Sequence, residues 1–497
     1  MKISKLIKFN MIVLLISLSS AANASELINS ANRDWLELVR QHTPASNSSS
    51  FDEAEADYKW QRLINKRDKR QPLKTESFLS EWWQTFGDDV LIDLIAKAFA
   101  SNKDLNSTRA KVLEARAQLG ISKTNFSPKA NLASEYENGR NSDFEDDELK
   151  SYNKYALGFD ASWEIDLFGR NKHTLKAAKA NLESEYASLE NAWVSLSAEV
   201  ALNYFNLRIL QKRLDIAENN LQVQGEFLEI LKSQHSAGLI DEAAVAQGRY
   251  DLETTRASIP EITHSINELL TAIAILTGEL PGSLDDKLST PKDLPDVNIS
   301  KLIGIPAETL RQRPDIKAAE RKLAAQIQKR KAAEKSLYPV IQLVGSIGLE
   351  SFSTGHLFSS GSYTYSIGPS ISWPIFNAGE IRKNIQAQTA IEKQLALELE
   401  GVILKAVGEV HDALSAASQE LSRNAALKDA LDSAMTNLEI TRDKYSKGLV
   451  NFTDVLKAQQ AAYSIKSEYN SSCGKRLINL ITLFKSLGGG YTPLNGL

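Results

Sequence analysis

The chain is short of cysteine, proline and aromatic residues, and it has no internal apolar run long enough for a membrane helix. Each shortage excludes something. A single cysteine, Cys473, among 497 residues excludes a disulfide within the chain and a cysteine-built zinc site. Cys473 also stands far from the N-terminus, so a lipid-modified cysteine directly after a leader is not expected. There are 13 prolines and 7% aromatic residues. With abundant Ala, Leu, Glu, Gln and Lys, that composition favours long helices. No later segment approaches the roughly 20 apolar residues of a spanning helix. The formal net charge is −4 and there is no basic block, so nucleic acid is not an expected partner.

What is present begins with a leader. Lys2, Lys5 and Lys8 form a basic region, Met11 to Leu18 an apolar one, and Ala22-Asn23-Ala24 a small-residue cleavage site. This is the pattern of a secretory signal over residues 1–24, with Ser25 as the first mature residue. Cleavage takes away three lysines and no acid, lowering the formal charge from −4 to −7. The apolar run is too short to serve as an anchor.

An internal repeat organises the rest. Asp104-Leu105 matches Asp315-Ile316 and Ser127-Pro128 matches Tyr338-Pro339, each 211 residues apart. Ala161-Ser162-Trp163 matches Ile371-Ser372-Trp373, and Ser236-Ala237-Gly238-Leu239 matches Ser446-Lys447-Gly448-Leu449, each 210 apart. Both copies read as a helix (Leu91 to Lys123; Pro314 to Ser336), a β segment (Pro128 to Ile165; Pro339 to Trp373), a very long helix up to the Gly-Leu pair, and a last helix. The expected divisions are 1–24 leader, 25–90 N-terminal segment, 91–265 first repeat, 266–305 connecting segment, 306–475 second repeat and 476–497 tail.

From Leu182 to Leu231, apolar residues recur at alternating steps of four and three, broken only by Asn203 and Gln224. That is a coiled-coil seam longer than ordinary globular helices carry. Phe205, Ile216 and Phe227 lie off the seam, so the helix has contacts on more than one side. A closed ring of helices fits this pattern, and so does a coiled-coil hairpin.

The β segments alternate. Tyr155, Leu157, Phe159, Ala161, Trp163 and Ile165 share one face, and Ala156, Gly158, Asp160, Ser162 and Glu164 the other. Tyr363 to Trp373 repeats the pattern. Strand lengths are near the ~9–11 residues of a membrane-crossing strand, with Tyr155, Trp163, Tyr363 and Trp373 at the ends, where interfacial aromatics belong. Lys129 to Asn138 and Val340 to Leu349 supply two more strands. Asn138 to Lys150 and Glu350 to Ser362 read as exposed loops. Four strands cannot close a barrel, since the smallest have about eight, whereas three chains would supply twelve.

Taken together, the fold class is α+β, mainly α. At this point the chain strongly resembles the TolC-type outer-membrane factor family, in its resistance-nodulation-division (RND) efflux branch. The likeness rests on Trp82-Trp83-Gln84-Thr85-Phe86-Gly87-Asp88, the stretch Ala161 to Arg170, Leu310 to Glu320, and Ser372-Trp373-Pro374-Ile375-Phe376-Asn377-Ala378-Gly379. It covers essentially the whole mature chain. It implies a homotrimer with a twelve-stranded outer-membrane β-barrel, four strands per chain, continuous with a long periplasmic α-helical barrel. It also implies an efflux exit duct for small molecules such as drugs or toxic compounds. A periplasmic adaptor (membrane fusion protein) and an inner-membrane RND-type pump are the implied partners, with outer-membrane lipid around the barrel. The Gly-Leu turns would form the gated periplasmic tip, at Gly238, Asp241, Glu242, Tyr445, Gly448 and Asp454. Ala244 and Val450 depart from the family's gating aspartate and arginine. Many relatives in the branch are lipoproteins, and this chain lacks the required cysteine.

No enzyme is expected. No catalytic residue, cofactor, cofactor-binding residue or metal ligand is assigned. His411 and Asp412 are adjacent on a helix and do not face one another. Gly488-Gly489-Gly490 reads as a flexible tail rather than a phosphate loop. Arg313-Pro314-Asp315 reads as a helix start. The alternative functions are a type I secretion outlet and a periplasmic coiled-coil adaptor.

Overall fold

The computed structural model describes residues 81–142, 149–297 and 312–490. The expected leader, the acidic stretch 143–148 and residues 298–305 of the expected connecting segment lie outside them. The elements run α1 (Asp89–Ser101), α2 (Lys103–Thr124), β1 (Lys129–Ser142), β2 (Leu149–Ile165), α3 (Arg170–Ser236), α4 (Glu242–Thr277), α5 (Asp285–Leu288), α6 (Pro314–Lys335), β3 (Val340–Ser351), β4 (Tyr363–Ser372), α7 (Glu380–Ser446) and α8 (Phe452–Ser486). A short 3-10 helix, Trp82–Phe86, precedes α1. Helices α3 and α7 are both 67 residues long, about 100 Å each at 1.5 Å per residue.

Two compact units divide the chain. One comprises Arg109–Ser188 and Asp315–Val402, and the other takes the stretch up to Thr108, Leu189–Pro314 and the stretch from Ile403. The boundaries expected at 90, 265 and 475 fall inside α1, α4 and α8. Repeat landmarks mark equivalent positions. The Gly-Leu landmarks coincide with helix ends, whereas 90, 265 and 475 carry no stop signal; α4 runs on to Gly278, its left-handed C-cap (φ 73°).

The first unit carries one antiparallel sheet of order β1-β2-β3-β4. Register follows the alternation seen in the sequence: Phe159 faces Leu132 and Ile347, and Trp163 faces Leu343. Ile347 in turn faces Tyr365. One face of the sheet is therefore apolar from β1 to β4. Strands β1 and β2 run on to Ser142 and from Leu149, into the stretch expected to be a loop. Side-chain bonds hold this extension. Tyr136 Oη and Asn138 Nδ2 both donate to Asn153 Oδ1 (3.0 and 2.8 Å), and Tyr152 Oη donates to Glu137 Oε1 at 2.9 Å. A β-ladder bonds through its backbone and needs no apolar side chains, so hydropathy marked where the apolar face ends rather than where the strands end.

The second unit is helical, around a core of large aromatics. Trp82 stacks on Phe484 (centroids 5.2 Å) and Phe86 packs on Phe205 (4.9 Å). Within α3, Val200, Ala201, Tyr204, Phe205 and Leu207 are all fully buried, so the helix has neighbours on several sides there. The stretch Leu91 to Lys123, read as one helix, breaks at Asn102. Its Oδ1 accepts from Leu105 N–H (2.9 Å) and its Nδ2 donates to Leu276 O (3.0 Å), an N-cap that restarts the helix. Pro314 opens α6 as expected. The preceding Arg313 is buried and donates to Ser486 O (2.6 Å) and Glu409 (2.7 Å). Gly488-Gly489-Gly490, expected to be a flexible tail, is packed instead. Gly490 (φ 107°) lies so close to Ser197 and Trp82 that a Cβ would sit 2.5 Å from Ser197 Oγ, and only glycine fits such a backbone.

Asp88 ties the core to the connecting segment. It caps α1 through Val90 N–H (3.0 Å), accepts from Tyr204 Oη (2.6 Å) and pairs with Lys292 (2.8 Å). Burial alone raises the Asp88 pKa, but the bonds from Lys292 and Tyr204 outweigh it and hold the carboxyl below its usual range. Tyr204 is pushed up to about 12 by burial and by its bond to Asp88. A carboxyl depressed in the fold stabilises it above the unfolded pKa of about 3.9, and that stabilisation is lost as pH falls through the lower folded value. Helical unfolding followed by circular dichroism should therefore show stability falling below about pH 4. Asp88→Asn should flatten that fall and cost about 1–3 kcal/mol at neutral pH. An unchanged acid limb in the variant would remove Asp88 from this role.

Candidate functional site

The two Gly-Leu turns are built alike. Helix α3 ends in Gly238 (φ 73°) and α7 in Gly448 (φ 72°). Gly238 N–H donates to His235 O (2.9 Å) and Leu239 N–H to Gln234 O (3.0 Å). Gly448 N–H donates to Tyr445 O and Leu449 N–H to Lys444 O, both at 2.9 Å. Such closures need a left-handed residue after the helix, where glycine carries no steric penalty. Each next helix then starts on a capped residue. Asp241 Oδ1 accepts from Ala244 N–H at 3.1 Å, and Asp454 Oδ2 accepts from Asn451 N–H at 3.3 Å. Glu242 pairs with His235 Nε2 at 3.1 Å, and His235 Nδ1 lies 3.1 Å from Ile240 O.

One bond joins the turns. Gln234 Nε2, in the last turn of α3, donates to Tyr445 Oη, in the last turn of α7, at 2.7 Å. Around it Phe452 packs on Phe227 (5.1 Å) and on Tyr445 (5.4 Å), beside buried Leu228, Leu231 and Val245. Gly238, Asp241 and Glu242 therefore share one turn and Tyr445, Gly448 and Asp454 the other, with Tyr445 as the link. Sequence reasoning missed Gln234, His235 and Phe452, and placed Phe227 only off the helix seam. The only hint for Gln234 is its place in the final helical turn before Gly238.

Tyr155, Trp163, Tyr363 and Trp373 sit at the two ends of the sheet. Trp163 Nε1 donates to Phe126 O at 3.0 Å and Trp373 Nε1 to Leu337 O at 3.1 Å. Both indoles thus bridge a strand to the corner before its hairpin partner. At the other end Tyr155 packs on its cross-strand neighbour Tyr136 (5.0 Å), and Tyr363 lies by Tyr365 (6.0 Å). Tyr155 and Trp163 are eight residues apart, about 26 Å along the strand, or about 20 Å of height at the ~35–45° tilt of barrel strands, within an apolar band ~25 Å tall. Between these ends the face is open: Phe159 is 58% and Ile367 75% exposed. Among the described residues no helix is long and apolar enough to cross a membrane, and no group of three or more His, Cys, Asp or Glu could hold a metal ion.

The family described as outer membrane efflux protein matches residues 94–279 and 305–489. The toluene efflux pump outer membrane protein TtgF of Pseudomonas putida is 29% identical over 458 residues, covering 92% of this chain and 94% of its own. The cation efflux system protein CusC of Escherichia coli is 28% identical over 422 residues, covering 84% and 90%. The solved outer-membrane channel OprN superposes with a TM-score of 0.80 at 28% identity, covering 91% of this chain and 98% of that one. This chain therefore belongs to the outer membrane efflux protein family and is an outer-membrane efflux channel.

Proposed function

We propose that three copies of this chain close a twelve-stranded barrel and form the exit duct of a tripartite efflux system. Small molecules would reach it from an RND-type inner-membrane pump through a periplasmic adaptor. The open four-stranded sheet carries this reading. Its apolar face is exposed, and its edges β1 and β4 have no partner within the described residues. In hydrocarbon an unpaired strand edge leaves backbone groups unsatisfied at several kcal/mol each, so the edges must be paired. The proposed cargo class, small and toxic compounds, follows relatives named for toluene and for cations. At the tip, three copies of both turns would gather Asp241, Glu242 and Asp454 around one axis, a cation-attracting mouth that Tyr445 helps to close.

The reading is tested on protein extracted from the outer membrane. An unheated sample should migrate in detergent gels as a trimer-sized band that collapses to one chain on boiling. In planar bilayers it should form ion-conducting pores. A monomer in both heated and unheated samples would overturn the trimer.

A further inference from the structure

We propose that the open edges of the sheet join in one defined register, with Ser372 of β4 opposite Ala133 of β1 in the next copy. This rests on the oligomeric reading above and adds to it which residue meets which.

The two hairpins of the sheet are the same object. Lys129 faces Ser162 in the first and Val340 faces Ser372 in the second, and these pairs are related by the repeat offsets of 211 and 210. The tryptophan bonds repeat as well: Trp163 to Phe126 O and Trp373 to Leu337 O differ by the same two offsets. One junction between hairpins is visible within the chain. There β2 meets β3, from Ile165 opposite Ile341 to Tyr155 opposite Ser351. In a closed ring of such hairpins the junction from β4 to the next β1 occupies the equivalent place.

Carrying the register across is then direct. Ser162 opposite Val344 becomes Ser372 opposite Ala133, and Ala161 opposite Gly345 becomes Ile371 opposite Ser134. The faces agree, for Trp373 falls opposite Leu132 on the apolar side. A slip of one residue would turn every apolar side chain of β4 to the polar side of β1. A slip of two would keep the faces but stagger alternate junctions differently, against the common tilt of a closed barrel.

The corner below the sheet points the same way. Ile375 and Phe376 are 84% and 87% exposed, the most exposed large hydrophobics among the described residues. At the visible junction the corners meet through Phe168 stacked on Tyr338, centroids 5.0 Å apart. The repeat puts Ala378 where that stack has Phe168, and Ser127 where it has Tyr338, so the junction between copies cannot form it. The proposed register instead sets Ile375 opposite Ala130 of the next copy and Phe376 beside Lys129, close to the exposed Phe126. The occupant of this apolar corner is a second copy of the chain.

Cysteine pairs test the register in a Cys473→Ser background. The pairs are Ser372→Cys with Ala133→Cys, and Ile371→Cys with Ser134→Cys. Two adjacent rungs are used because rungs alternate between close and wide Cα spacing. Within one chain β1 and β4 are three strand spacings apart, about 14 Å. A disulfide spans at most ~7 Å between Cα atoms, so any bond formed joins two copies. Oxidation should move most of the chain into dimer- and trimer-sized bands that survive boiling and vanish with reductant. Ser372→Cys paired with Asn131→Cys or with Glu135→Cys should remain monomeric on boiling. Crosslinking only in one of those shifted pairs overturns the register and leaves the oligomer standing. No crosslink in any pair, while the unheated proteins still run as trimers, overturns the edge pairing. A Cys473→Ser parent that is monomeric when unheated defeats the oligomeric reading itself.

Discussion

Arginine in place of Phe159 is expected to abolish most assembly into the outer membrane, while arginine in place of Ser162 is tolerated. Phe159 sits mid-strand on the apolar face, between Leu132 and Ile347, and is 58% exposed. On the lipid side a charge near the bilayer midplane costs about 2–4 kcal/mol. That corresponds to about 30- to 1,000-fold in the assembled fraction. Ser162 points to the other face, which also carries Asp160, Glu164 and Gln342 and would line a wet interior. Arginine there keeps its hydration. The fraction of chain running as an unheated trimer from purified outer membranes measures both effects. If Phe159→Arg assembles like the parent while Ser162→Arg fails, the facing of the sheet is inverted.

The two-faced pattern of the sheet was legible in the sequence because a strand has a period of two and each apolar residue votes on the same question. The long seam of α3 was legible for a similar reason. Leu189, Leu196, Val200, Leu207, Leu228 and Leu231 are all buried, and all stand on that seam, separated by three, four or whole multiples of seven residues. The Gly-Leu turns announced themselves because a left-handed helix end selects glycine at one position. What stayed hidden depends on contacts distant in sequence. Nothing near Asp88 indicates that Tyr204 and Lys292 will meet it, and nothing around Gly490 indicates that Trp82 and Ser197 will crowd it. The Gln234–Tyr445 bond was equally invisible, since it joins residues 211 apart that are not repeat equivalents. Ala244 and Val450 stand where the resemblance places a gating aspartate and arginine, and the bond seen between the two turns is made by other side chains.

That bond leads to the largest expected change in transport. Tyr445→Ala should raise single-channel conductance in planar bilayers, and Tyr445→Phe should raise it by a smaller step. Tyr445 makes two contacts at this end: its hydroxyl accepts from Gln234 of α3 at 2.7 Å, and its ring packs edge-on at 5.4 Å against Phe452 of α8, which in turn packs on Phe227 of α3. Phenylalanine keeps the ring contact and loses a bond worth about 0.5–1.5 kcal/mol. Alanine loses both. Each kcal/mol taken from the closed arrangement shifts the open-to-closed ratio about fivefold. Adding Asp454→Ala removes a carboxylate from the proposed mouth and should reduce cation preference. It also removes the acceptor for Asn451 N–H, a cap worth about 0.5–2 kcal/mol, so helix content is checked first. Gln234→Ala should match Tyr445→Phe, because each removes the same hydrogen bond. If Tyr445→Ala with Asp454→Ala conducts like the parent while changes in the barrel loops alter conductance, the constriction lies elsewhere and the tip is not the gate.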